Sequence, residues 1–140
     1  MLTQLQEALA GQGRAALSGL GGVGKTQTVV EYAHRHLAEY NHTFFTVADS
    51  RESLVSGYVT ILSLLELPEA DAQDQMLAVE SVKRWLSSHE DWLLILDNAD
   101  NLGMARAFLP SGKKGHVLLT TRAQATHRQS SESLAETFEF

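Results

Sequence analysis

Residues 19–26 read Gly19-Leu20-Gly21-Gly22-Val23-Gly24-Lys25-Thr26, the G-x-x-x-x-G-K-T spacing of a phosphate-binding loop. The spacing follows from the chemistry. A nucleoside polyphosphate presents clustered anionic oxygens, and a tight loop wraps them only when its backbone N–H groups point inward. Glycines allow the close approach and positive φ angles that such a loop needs. Lys25 brings a point charge to the β- and γ-phosphates, and the Thr26 hydroxyl is placed to ligate Mg²⁺. A following helix adds its positive N-terminal dipole beneath the anion. Gly21, Gly22, Val23, Gly24, Lys25, Thr26 and Gln27 are therefore the expected nucleotide contacts of this segment.

Such chemistry needs a second anionic group to hold the metal, at the carboxyl end of a neighbouring buried strand. Leu93-Leu94-Ile95-Leu96-Asp97 has that form, and Asp97 is expected to bind Mg²⁺ through water, as in a Walker B strand. The metal ligands expected are thus Thr26 and Asp97. A third strand ends in Thr120-Thr121-Arg122. Ligands of parallel sheets gather at the carboxyl ends of strands, so Thr121 and Arg122 should lie near the γ-phosphate, where an Arg makes charge-assisted contacts. Lys25, Asp97 and Arg122 are the residues expected to carry any catalysis.

Other conspicuous residues read as structural. His34 and His36, two apart on a helix, share no face and fit no metal pattern. Trp85 and Trp92 read as packing residues, and Lys113-Lys114 as a solvated loop tip. No spacing supports a Ser-His-Asp or Cys-His constellation.

The elements that must position these groups alternate along the chain. Leu2, Leu5 and Leu9 mark a first helix from Thr3 to Ala10, broken by Gly11-Gln12-Gly13. Ala15-Ala16-Leu17 is a short buried strand before the loop, and Gln27 to about Tyr40 is helical. Thr43–Ala48, β-branched and aromatic, is a strand. Asp49-Ser50 caps a helix whose core stripe is Leu54, Tyr58, Ile61, Leu62 and Leu65, closed by Pro68. After an acidic loop, a helix from about Asp74 to Ser88 presents Val79, Val82 and Leu86. Trp92–Leu96 lacks alternation and so reads as a strand buried on both faces. A short helix, Leu102 to Phe108, ends at Pro110 and a turn from Ser111 to Gly115. His116–Thr120 is a second buried strand, and Glu136–Phe140 starts as a strand. This alternation implies right-handed βαβ units and a parallel sheet with helices on both faces.

Bulk properties agree with one folded domain. The chain has 140 residues, 44% of them apolar, which is enough for one core and too little for two ordinary domains. No apolar run reaches membrane-spanning length, and Met1-Leu2-Thr3-Gln4 does not open a signal peptide. With no cysteine, disulfides and thiolate metal sites are excluded, and a reducing, cytoplasmic setting is expected. A net charge of −6 argues against nucleic acid as a partner. Neither nucleic acid nor membrane is an expected partner.

Taken together, the blocks Gly19–Thr26, Leu93-Leu94-Ile95-Leu96-Asp97-Asn98-Ala99-Asp100, Phe108-Leu109-Pro110 and Gly115–Arg122 resemble the nucleotide-binding domain of NB-ARC proteins. These belong to the STAND class of signalling P-loop NTPases, and the wording is most similar to NB-ARC domains joined to tetratricopeptide repeats. The resemblance covers nearly the whole chain. It implies a three-layer α/β P-loop NTPase fold with a parallel sheet of about five strands in the order 5-1-4-3-2. It also implies an ATP/ADP switch with Mg²⁺, resting on ADP and self-associating on activation. Thr121 and Arg122 would then be the sensor of the γ-phosphate. Two departures stand out. Asn98 occupies the place where vigorous ATPases carry an acid, and an amide cannot accept a proton, so hydrolysis should be slow unless Asp100 substitutes. The family's upstream Gly-Arg element and its downstream winged-helix and repeat regions have no counterpart in residues 1–140, which read as a domain incomplete at both ends. Those further domains are the protein partners that the resemblance implies.

Two other readings stand beside the regulatory switch. One is a self-contained P-loop ATPase or phosphotransferase, for which only the Lys113-Lys114 loop offers a basic lid. The other is a nucleotide-binding interaction module without turnover, which Asn98 keeps open.

Overall fold

The computed structural model describes residues 2–18, 23–67, 74–112, 114–122 and 134–136. Its frame is a five-stranded sheet with the spatial order β2-β3-β4-β1-β5. The strands are β1 (Arg14–Ser18), β2 (His42–Val47), β3 (Trp92–Asp97), β4 (His116–Thr121) and β5 (Leu134–Glu136). Read from the other edge, this is the expected order 5-1-4-3-2. The first four strands pair in parallel, whereas β5 runs antiparallel to β1, with Leu17 opposite Ala135. The all-parallel expectation is corrected at that edge. The fifth strand also starts earlier than Glu136, and residues 137–140 lie outside the described residues.

Why β3 is an interior strand is plain from its side chains. All six residues from Trp92 to Asp97 are buried. Trp92, Leu94 and Leu96 join one apolar cluster, and Leu93 and Ile95 join the other. A strand with a core on each side has no use for a polar alternate position, hence its unbroken apolar run. The larger cluster is closed by α3 (Arg51–Leu64), α4 (Gln75–Ser88) and the short α5 (Leu102–Arg106). The smaller one lies under α1 (Leu2–Gln12) and α2 (Val23–Arg35), where Leu5, Leu9, Val29 and Tyr32 meet Leu17 and Leu118. Helices therefore cover both faces.

The helix ends follow local chemistry. Ser50 caps α3 by accepting from the Ser53 N–H at 3.1 Å, and Asp74 caps α4 by accepting from Met76 N–H at 2.9 Å. Asn101 does the same for α5 through Met104 N–H at 3.0 Å. Gly11 does not break the first helix, as the sequence suggests. The helix runs on to Gln12, and Gly13 takes the left-handed cap (φ 77°), its N–H reaching Leu9 O at 2.8 Å. Exposed Gly11 costs the helix some propensity but offers no competing turn. Helix α5 stops at Arg106 instead of Phe108; Phe108 turns inward, and its carbonyl accepts the buried Tyr58 hydroxyl at 2.5 Å. Pro68, and the acidic loop after it, lie outside the described residues.

Trp92 and Trp85 behave as packing residues. The Trp92 indole is buried and donates to the carbonyls of Leu86 (3.0 Å) and His89 (2.7 Å). Gly115 lies flat against this ring, and a Cβ there would overlap its fused carbons. Trp85 stacks on His89 with ring centroids 4.1 Å apart.

Candidate functional site

Strands β1, β3 and β4 point their carboxyl ends the same way, so Ser18, Asp97 and Thr121 share one rim of the sheet. Ser18 and Thr121 are register partners, both buried. Residues 19–22 lie outside the described residues; Gly21 and Gly22 therefore remain sequence expectations. The chain is described again from Val23, where α2 begins.

That start corrects one expectation. The helix does not open at Gln27; it takes in Val23, Gly24, Lys25 and Thr26 as its first turn. Lys25 lies in that first turn and is only 3% exposed. Burial lowers the pKa of its ammonium group. Asp100 and, less strongly, Asp97 act to raise it, while Arg122 lowers it further. The charge of Lys25 is thus set within a small group of ions at the strand tips. Gly24 is exposed, with open space where a side chain would stand, and Gln27 points to solvent. The Thr28 hydroxyl turns back onto Gly24 O at 2.8 Å.

Thr26 and Asp97 come together as expected. The Thr26 hydroxyl donates to Asp97 Oδ1 at 3.0 Å, across 71 residues of sequence. The same oxygen accepts the Thr120 hydroxyl at 2.7 Å. A carboxylate and a hydroxyl are hard oxygen donors, and this pair fits Mg²⁺, which takes one or two protein oxygens and fills its octahedron with phosphate and water. Among the described residues no three His, Asp or Glu side chains gather as a protein-only metal cage. His36 instead stacks on Tyr32 and bonds Glu39.

Beyond Asp97 the chain makes a tight turn. Asn98 adopts φ 63°, in the left-handed region that Asn tolerates better than most residues. Its N–H donates to Thr120 Oγ1 at 2.9 Å, and Ala99 N–H reaches Thr120 O at 2.7 Å. Thr120 therefore ties the β3 tip to β4 with both its side chain and its backbone. Arg122, at the end of β4, meets Asp100 in an ion pair of 2.9 Å. Burial raises the pKa of the Asp100 carboxyl, but hydrogen bonds from Arg122 and the charges of Arg122 and Lys25 outweigh it, so the net shift is downward.

The sequence matches the family described as AAA domain over residues 8–132, which is most of the chain. The chain belongs to that AAA-domain family. It is therefore a P-loop NTPase domain, nucleotide-binding and NTPase-like in character. It is also 32% identical, over 129 residues, to a protein of Hyaloscypha variabilis (strain UAMH 11265 / GT02V1 / F) described as "Nucleotide-binding leucine-rich repeat (NLR)-like protein". That alignment covers 78% of this chain and 13% of the relative, so the chain spans about an eighth of the relative's length. No described helix of the AAA domain is long and apolar enough to cross a membrane.

Thr120 is the site residue of this AAA domain that the motif pattern does not single out. A signal for it exists in the sequence: a threonine sits next to last in a buried strand parallel to the Asp97 strand, where an apolar residue would otherwise be expected. A hydroxyl buried there needs partners, and the neighbouring strand tip supplies them. Lys113 lies outside the described residues, and Lys114 is exposed, as befits a solvated turn.

Proposed function

We propose that this AAA-domain chain is the ATP/ADP-binding switch of a signalling NTPase of NB-ARC, STAND-class type, with Mg²⁺-dependent binding and slow hydrolysis. The observation that carries the reading is the meeting of Thr26 with Asp97 at 3.0 Å beside buried Lys25. In this reading Lys25 grips the phosphates, with Gly21, Gly22, Val23, Gly24 and Gln27 around them. Thr26 and Asp97 hold Mg²⁺, which supplies charge neutralisation on the phosphate oxygens. Thr121 and Arg122 report the γ-phosphate. Asn98 stands in the place of a general base and cannot accept a proton. The likeness to the NLR-like fungal protein supports a regulatory setting, with residues 1–140 acting as one nucleotide-binding domain among winged-helix and repeat regions. The tetratricopeptide association and activation by self-association belong to the same proposal.

Titration with ADP and ATP, with and without Mg²⁺, tests it, together with phosphate release. The chain should bind both nucleotides and turn ATP over more slowly than about one per minute, far below the usual enzyme range. Asp97→Asn should weaken ATP binding chiefly when Mg²⁺ is present, because the carboxylate's task is the metal. Equal weakening with and without Mg²⁺ would remove Asp97 from that role. Steady turnover above about one per second, lost on Lys25→Ala, would favour a self-contained ATPase over the switch.

A further inference from the structure

At the rim of the sheet, the turn after β3 and the end of β4 close on each other through one carboxylate and one guanidinium. Asp100 Oδ1 accepts the Arg122 backbone N–H at 2.8 Å. Asp100 Oδ2 accepts from Arg122 Nε at 3.1 Å and from Nη2 at 2.9 Å. Both carboxylate oxygens are engaged, and by the residue expected to reach the γ-phosphate. The turn beneath is fixed as well, because Asn98 N–H and Ala99 N–H are bonded to Thr120, and Asp100 N–H reaches Asn98 O at 2.9 Å. The Arg122 side chain is 66% exposed, so its guanidinium can leave Asp100 while the backbone of the turn stays fixed.

The same carboxylate is felt by the phosphate-gripping lysine. Among the charges acting on Lys25, Asp100 comes first, ahead of Arg122 and Asp97. An anion with that reach stands where it opposes a further negative group arriving at Lys25. It is a poor general base: its oxygens are taken up by Arg122, and a carboxyl held below its ordinary range has little appetite for a proton.

We propose that Asp100 is the internal counter-ion of Arg122 and competes with the terminal phosphate of a nucleoside triphosphate, so that the site is biased toward the diphosphate. ADP lacks the group that meets this charge, whereas ATP must draw Arg122 from Asp100 and accept the carboxylate as a neighbour. The inference rests on the nucleotide-switch reading and adds to it the element that sets the balance between the two ligands. Asp100 acts through Arg122 and is a positioning residue.

The test is the ratio of Kd for ADP to Kd for ATP, measured with Mg²⁺ by calorimetry on the parent chain, Asp100→Asn and Asp100→Glu. Asp100→Asn keeps shape and an acceptor oxygen but removes the charge, and should raise the ratio at least about threefold, the scale of a partly exposed ion pair. Asp100→Glu keeps the charge and should hold the ratio within about twofold of the parent. A ratio unmoved by Asp100→Asn, or moved toward ADP, overturns the proposal; so does an equal shift in Asp100→Glu. Single-turnover hydrolysis gives the competing outcome. A rate collapse in Asp100→Asn with an unchanged binding ratio would make Asp100 the base and end the counter-ion role. A parent chain that binds neither nucleotide defeats the switch reading itself and this inference with it. With a parent that binds both, the ratio in the two variants decides the role of Asp100 alone.

Discussion

The two margins of the larger core are built on opposite terms. At the β3–β4 tips, hydroxyls, carboxylates, cations and turn amides are knitted together: Thr26, Thr120, Asp97, Asn98, Asp100 and Arg122 are all bonded within the group. Along the β2–α3 flank the surface is apolar and open. Phe45 and Val47 on β2 and Leu64 on α3 are all more than 40% exposed, and they line a groove of about 480 Å³. At its base, Thr46 is 2% exposed, and among the described residues its Oγ1 is the buried side-chain polar atom without a hydrogen-bond partner. The contrast teaches where this sheet holds its specificity. Asp97 and Thr120 are buried at the tips as a mutually bonded pair, where an orphan would cost about 1–3 kcal/mol. The flank carries one such orphan and relies on packing.

Removing the lysine charge should disturb the tips most. Lys25→Ala should lower ADP affinity by roughly one to two powers of ten, since each charge-assisted phosphate contact is worth about 1.5–3 kcal/mol. Because Lys25 is buried in the first turn of α2, the alanine also leaves a gap along its aliphatic stem. Lys25→Met fills that gap without the charge, and should lose as much affinity while melting closer to the parent. Parent-like ADP affinity in either variant, by calorimetry, would refute the phosphate grip.

A middle-sized effect should come from Thr120→Val, which is isosteric and replaces none of the residues expected to contact the nucleotide. The substitution removes the donor to Asp97 Oδ1 and the acceptor for Asn98 N–H, leaving that amide without its partner. Urea denaturation should show a loss of about 2 kcal/mol. If the variant is as stable as the parent, the tips are not a cooperative unit, and their bonds are replaceable by water.

Much of this arrangement is legible in the sequence, for definite reasons. Trp92–Leu96 announces a doubly buried strand because a strand with a core on both faces admits only apolar residues. Asp97 at its end is then placed by topology, and so is its approach to Thr26. The burial of Lys25 is not legible, because the motif fixes its spacing but not the turn at which the helix starts. The place of strand β5 at Leu134–Glu136, ahead of the expected Glu136–Phe140, is harder to read because Leu134-Ala135-Glu136 carries no β-branched or aromatic residue, and its antiparallel pairing with β1 is a tertiary choice. The Asp100–Arg122 pair is out of reach too, since the two residues lie 22 apart and meet only once two strand ends are set side by side.

On the flank, a single hydroxyl should matter least. Thr46→Val replaces a hydroxyl by a methyl group of nearly the same volume, under the Gly57 turn of α3 against which the Thr46 side chain packs. Nothing the hydroxyl now bonds is lost, while the cost of burying it unpartnered is relieved. The β-branched shape suited to strand β2 is kept. The variant should gain about 1 kcal/mol in urea denaturation, with the affinity for ADP unchanged because the Thr46 hydroxyl makes no bond to the tip network. Gly57→Ala on the same helix should act the opposite way, since its Cβ would overlap the Thr46 side chain. If Thr46→Val instead destabilises the chain by about 1 kcal/mol or more, its hydroxyl has a partner in solution. The flank would then be satisfied as fully as the tips, and the contrast between the two margins would not hold.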